Sequence, residues 1–159
     1  MKYLKTVLYI FLVVIFSYTF LPRLSIYSVT PNLILVIAII YIYKQDLNNA
    51  LIWTLVGGFF VGFMNVGFPS NIFLATAIIM LLWFVTKRFF EITNIFIFSF
   101  LCLFCCFLYE ILLFSHIDLA FFLLFFFNAT YSTIVALIIL FILQKKTKND
   151  YEIVSLEER

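Results

Sequence analysis

The sequence predicts an all-α integral membrane protein, a bundle of about six unequal transmembrane helices. Three observations predict it. The chain of 159 residues is 66% hydrophobic and only 11% charged, whereas a soluble domain carries roughly 45–50% apolar and about 25% charged residues. A small soluble domain buries only about two-thirds of its surface, so water offers no place for this much apolar side chain. Polar punctuation divides the chain into apolar segments. Lastly, nearly every Lys and Arg falls on one side if each segment spans. The 23 Phe residues suit helices whose outer faces meet lipid.

The segments follow in order. Segment one, 3–21, trails Lys2 and Lys5 and imitates a secretory signal, but Phe20-Leu21-Pro22-Arg23 is no small-residue cleavage site. It reads as a retained helix. Segment two, 29–43, opens at Thr30-Pro31-Asn32, with Thr30 as the cap and Pro31 at the first helical position, and closes at Lys44-Gln45-Asp46. Segment three is 50–66, and Gly67-Phe68-Pro69-Ser70-Asn71 makes a tight turn into segment four, 72–85, which Lys87-Arg88 closes. Segment five is 92–114. Segment six is 119–143, closed by Lys145-Lys146. Residues 1–146 thus form one transmembrane bundle, and 147–159 a polar, frayed tail. Segments two and four reach only about 20–22 Å against a hydrocarbon core of roughly 30 Å, so neighbouring helices must shelter their ends.

Charge sets the orientation. Lys2, Lys5, Lys44, Lys87, Arg88, Lys145, Lys146 and Lys148 share one side, and Arg23 lies on the other. The positive-inside rule places both termini in the cytoplasm. No loop is long enough to be a domain.

Polar groups within the apolar segments are costly in lipid, so each needs a reason. Thr54, Gly58, Gly62 and Asn65 lie on one face of segment three, and Gly58-x-x-x-Gly62 lets another backbone approach closely. Ser99, Cys102, Cys106 and Glu110 share a face of segment five, where Glu110 is the only carboxylate well inside a segment. Its role is either a proton site, a ligand contact, a polar latch to a partner, or an interfacial group that reaches water. Asn128, Ser132 and Ala136 share a face of segment six, and Asn128 needs a partner from Asn65 or the segment-five face. These faces serve either internal helix packing or docking of a partner helix.

The chemistry that the sequence excludes is as informative. There is no HExxH, GxSxG, P-loop or helix-opening GxGxxG. Cys102, Cys105 and Cys106 lack further ligands for a metal site and read as small apolar side chains. His116, the only His, lies in a loop. The basic clusters are short and juxtamembrane, which argues against nucleic acid. The expectation is a protein without catalytic residues, cofactor or small-molecule ligand, whose partners are membrane lipid and other proteins.

With the segments laid out, the chain resembles the rod shape-determining protein MreD family over about residues 1–145. The resemblance lies in the overall size with six unequal segments and in Thr30-Pro31-Asn32-Leu33-Ile34-Leu35, like the family's Pro-led second segment. It extends to Gly57-Gly58-Phe59-Phe60-Val61-Gly62-Phe63-Met64-Asn65, like its Gly-rich third, and to Asn128 in the final long segment. The family usually has Asp after these glycines, where this chain has Asn65. The resemblance implies a non-enzymatic inner-membrane component of the bacterial cell-elongation machinery, working beside MreC, the actin-like MreB and the peptidoglycan synthases. Taken with the two polar stripes, it leads to the expectation that the Gly58–Asn65 face and the outer end of segment five contact a partner such as MreC. The family is also similar to the vitamin-binding S components of energy-coupling-factor transporters, which gives a fold expectation and an alternative function. Those components dock through a small-residue Ala motif on their first helix, and Tyr3–Leu21 has no Ala or Gly.

Overall fold

A computed structural model describes residues 2–25, 30–64, 70–89, 95–113 and 119–157. Among them every regular element is helical: α1 (Lys2–Thr19), α2 (Leu33–Tyr43), α3 (Leu47–Met64), α4 (Ser70–Phe89), α5 (Ile95–Leu113) and α6 (Leu119–Glu157), with one 3-10 turn at Leu21–Leu24. Four stretches, Leu4–Arg23, Leu47–Met64, Ile95–Leu113 and Phe121–Lys145, are long and apolar enough to cross a membrane. The protein is an all-α membrane protein. Its outer faces carry exposed Phe and Leu side chains, including Leu8, Phe11, Phe73, Phe96, Phe100 and Phe141, as lipid-facing helices do.

The shortest helix is the hub. At 11 residues α2 spans about 16 Å, yet it packs against all five of the others. Seven of its residues are buried: Ile34, Leu35, Val36, Ala38, Ile39, Ile40 and Ile42. A helix apolar on every side is stable only when enclosed, and α2 is enclosed. Its start differs from the expectation. The cap is Asn32 rather than Thr30, because the Asn32 carboxamide oxygen accepts the Leu35 N–H at 3.2 Å, and Asn caps better than Thr. Its end is a Schellman turn: Gln45 N–H donates to Ile42 O and Asp46 N–H to Tyr41 O, both at 2.9 Å, with Gln45 at φ 58° where Gly is usual. Asp46 then caps α3 by accepting from the Asn49 backbone N–H at 3.1 Å and from the Asn49 side chain. This is why α3 starts at Leu47 and not at Ala50.

Two glycines set how closely α3 meets its neighbours. A Cβ placed on Gly57 would lie 2.7 Å from Ile34 Cγ2 of α2, and one on Gly58 would lie 3.2 Å from Ile72 Cα of α4. Backbones approach this closely only where a side chain is missing. Helix α4 is longer than the expected 72–85. Its 20 residues reach about 30 Å, and Lys87 and Arg88 lie inside its last turn, where the helix dipole favours cations. Their stems fold back so that Lys87 Nζ lies 5.0 Å from the Trp83 ring centre and the Arg88 guanidinium 6.0 Å from that of Phe84. Helix α6 continues through the stretch expected as a frayed tail, reaching Glu157. No Gly or Pro interrupts residues 147–157, so nothing local stops the helix.

Candidate functional site

The ends of α1, α3 and α5 and the starts of α2 and α6 surround a cavity of about 340 Å³. Its walls include Ser17 and Tyr18 of α1, Pro22, Thr30 to Ile34, Val61 of α3, Tyr109, Glu110 and Leu113 of α5, and Asn128 of α6. The shortness of α2 creates it. Neighbouring helices run on past Leu33, and the space above the first turn of α2 is left to polar side chains. No Cα of α1 comes within 8 Å of one in α5 or α6 among the described residues, so the cavity lies in a cleft between these helices. The opposite end of the bundle is closed by contacts such as Gln144 Nε2 to Tyr43 Oη at 3.5 Å and the Tyr43–Phe98 ring pair at 5.0 Å.

Glu110 and Asn128 form the polar centre. Asn128 Nδ2 donates to Glu110 Oε1 at 2.7 Å, joining α5 to α6. Asn128 Oδ1 is buried and has no hydrogen-bond partner among the described residues. Some donors around this pair are committed elsewhere. Ser17 Oγ donates to Val13 O at 2.8 Å within its own helix. The Asn32 backbone N–H donates to Ser132 Oγ at 3.2 Å, tying α2 to α6. The cavity therefore presents the Glu110 carboxylate, whose oxygens can accept more than the one bond from Asn128.

The residues singled out from the sequence divide into three groups. Glu110, Asn128 and Ser132 come together around the start of α2, and Asn128 finds its partner in Glu110. Thr54, Gly58 and Gly62 are buried within the bundle instead. Thr54 Oγ1 satisfies itself on Ala50 O and Leu51 O at 3.3 and 3.1 Å, and Gly58 faces Ile72 of α4. A partner helix cannot reach Gly58 without displacing α4, so of the two readings of this face, internal packing and docking, the contact with Ile72 fits internal packing at Gly58. Asn65, the 67–69 part of the turn, and His116 lie outside the described residues. Cys102, Cys105 and Cys106 are free and buried. Among the described residues no group of three or more His, Cys, Asp or Glu side chains is placed to hold a metal.

Sequence reasoning missed Ser17, Tyr18, Asn32, Tyr109 and Gly57. Asn32 was findable, because an Asn immediately before an apolar run is a helix-cap signal. Gly57 sits beside the GxxxG pair but outside its spacing. Ser17 and Tyr18 carry no sequence signal at all, since their part in the cavity depends on where α1 ends relative to α2. Comparison of the chain with known protein families, with curated proteins and with solved structures finds no match.

Proposed function

We propose that this protein is a non-enzymatic component of the bacterial cell-elongation machinery, similar to the MreD family, embedded in the inner membrane with six spans and both termini in the cytoplasm. The observation that carries the reading is the meeting of the two motifs on which the resemblance rests. The Pro-led segment becomes the central helix α2, and the Gly-rich segment lies against it at the Ile34–Gly57 approach. Motifs placed at the packing centre specify the arrangement of the whole bundle, which is what a scaffold presents to partners. A partner such as MreC contacts the bundle at the cavity end and along the outer helix faces, because Gly58 is already occupied by α4. Support for the orientation comes from the exposed Lys5, Lys44, Lys87, Arg88 and Lys145 against the lone Arg23.

Depletion of the protein in its own host tests this. The expected result is rod cells that widen and round up while growth on rich and minimal nutrients falls alike. Cells that keep their shape would sink the reading. One observation favours a second reading, a vitamin-binding S component of an energy-coupling-factor transporter: the 340 Å³ cavity with polar walls. That reading predicts a nutrient-dependent growth defect and binding of a vitamin by the purified protein.

A further inference from the structure

We infer that the cavity over the start of α2 is a headgroup site for a phospholipid bearing a primary ammonium. The inference is independent of the function proposed above. Its first ground is the hydrogen-bond account of the walls. Glu110 is the only charged side chain among the described wall residues, and one of its oxygens is taken by Asn128. Of the donors nearby, the Ser17 hydroxyl, the Asn32 backbone N–H and the Asn128 amide are spent on Val13 O, Ser132 Oγ and Glu110 Oε1. A group that brings N–H donors and positive charge satisfies this carboxylate, and burying it without a cation costs free energy.

The second ground is the opposite wall. Leu33 and Ile34 line the cavity, and as the first residues of α2 they have backbone N–H groups with no acceptor inside the helix. A helix start accepts phosphate. The ligand therefore carries an ammonium and an anionic oxygen on one short framework, as the phosphoethanolamine headgroup does.

The third ground selects the source. Exposed apolar side chains neighbour wall residues along the chain: Phe16 beside Ser17, Leu112 beside Leu113 and Phe127 beside Asn128. These suit acyl chains leaving the headgroup, whereas a soluble amine has no use for them.

The test compares phosphatidylethanolamine with phosphatidylcholine of the same acyl chains, which differ only in the methylation that removes the N–H donors, and with phosphatidylglycerol. The full chain in detergent receives an equimolar mixture, and retained lipid is read by native mass spectrometry. Phosphatidylethanolamine should be retained several-fold over both others. Glu110→Gln should erase the preference, and so should Ser17→Leu, which fills the cavity and leaves the Glu110–Asn128 pair in place. Thermal unfolding without added lipid establishes that each variant folds, and Ser17→Leu decides the matter if Glu110→Gln does not fold. Equal retention of the three lipids, or a preference that survives Ser17→Leu, overturns the inference. O-phosphoethanolamine added alone supplies the second arm. A rise in the unfolding midpoint with this soluble amine, without any lipid preference, overturns the lipid source.

Discussion

Gly57→Ala probes the approach on which the fold turns. The new methyl would sit 2.7 Å from Ile34 Cγ2 and 3.1 Å from Cδ1, which is about 0.7 Å short of the 3.4 Å where ordinary van der Waals contact begins. Ile34 cannot step aside easily. It is buried at 7% exposure, and a β-branched side chain in a helix has essentially one χ1 rotamer. The strain falls on the α2–α3 spacing, and forced overpacking costs about 1–3 kcal/mol. Ala in place of Gly returns about 1 kcal/mol of helix propensity, so the net loss is about 1 kcal/mol. The sharper reading comes from the second site. Ile34→Ala alone costs about 2–5 kcal/mol, but it removes all three atoms that clash. The double variant should therefore be about 1–2 kcal/mol more stable than the sum of the singles, well outside the additivity expected of independent sites. Reversible unfolding in mixed micelles, followed by circular dichroism, measures all four corners of the cycle. A Gly57→Ala variant more stable than the parent, or a cycle that adds within about 0.5 kcal/mol, would refute the reasoning.

Further expectations follow from the site. A cycle of Glu110→Gln and Asn128→Leu should give a coupling of about 0.6–1.7 kcal/mol, the range of interhelical hydrogen bonds in membranes; zero coupling by the same unfolding assay would count against the 2.7 Å bond. Asn32→Ala should lower stability by about 1 kcal/mol through loss of the α2 cap, with Asn32→Asp recovering most of it. An unchanged midpoint for Asn32→Ala would mean that the cap carries no weight. Cys102, Cys105 and Cys106 should resist a membrane-permeant maleimide in the folded protein and react once it is denatured, given their burial. That silence lets cysteines introduced at Ser25 and Gln45 report topology, with impermeant reagent in intact spheroplasts expected to label Ser25→Cys alone.

The fold class was legible because hydropathy is a sum over whole segments. A run such as Ile95–Leu113 is apolar enough that no local detail changes its reading. Boundaries were less legible because single hydrogen bonds decide them. Asp46 looked like the close of segment two, but it is also the cap that starts α3, and a residue between two helices can serve both. Lys87 and Arg88 looked like a stop, yet the C-terminal turn of α4 favours them. Within the site, Glu110 and Asn128 announced themselves because charge and amide are rare in lipid-facing sequence. Their pairing across 18 positions, and their place beside Ser17 and Asn32, depend on how helices from distant parts of the chain end relative to one another. No periodicity in one segment records that.

The length of α2 is what joins the fold to the site. A helix of about 16 Å in a bundle whose neighbours approach 30 Å must leave roughly half the depth of the layer to something else. At the Tyr43 end the chain turns at once into α3 through the Gln45 turn, so no space remains there. All of the deficit falls at the Leu33 end, where Pro31 has no N–H to extend the ladder and Asn32 fixes the first turn. Polar side chains occupy the walls because they flank a volume that water or a headgroup enters, and they would be costly if the helix filled it. The Pro-Asn start that identifies α2 as a helix is thus also what opens the cavity. Extending α2 upward by replacing Pro31 with a helix former would narrow the cavity.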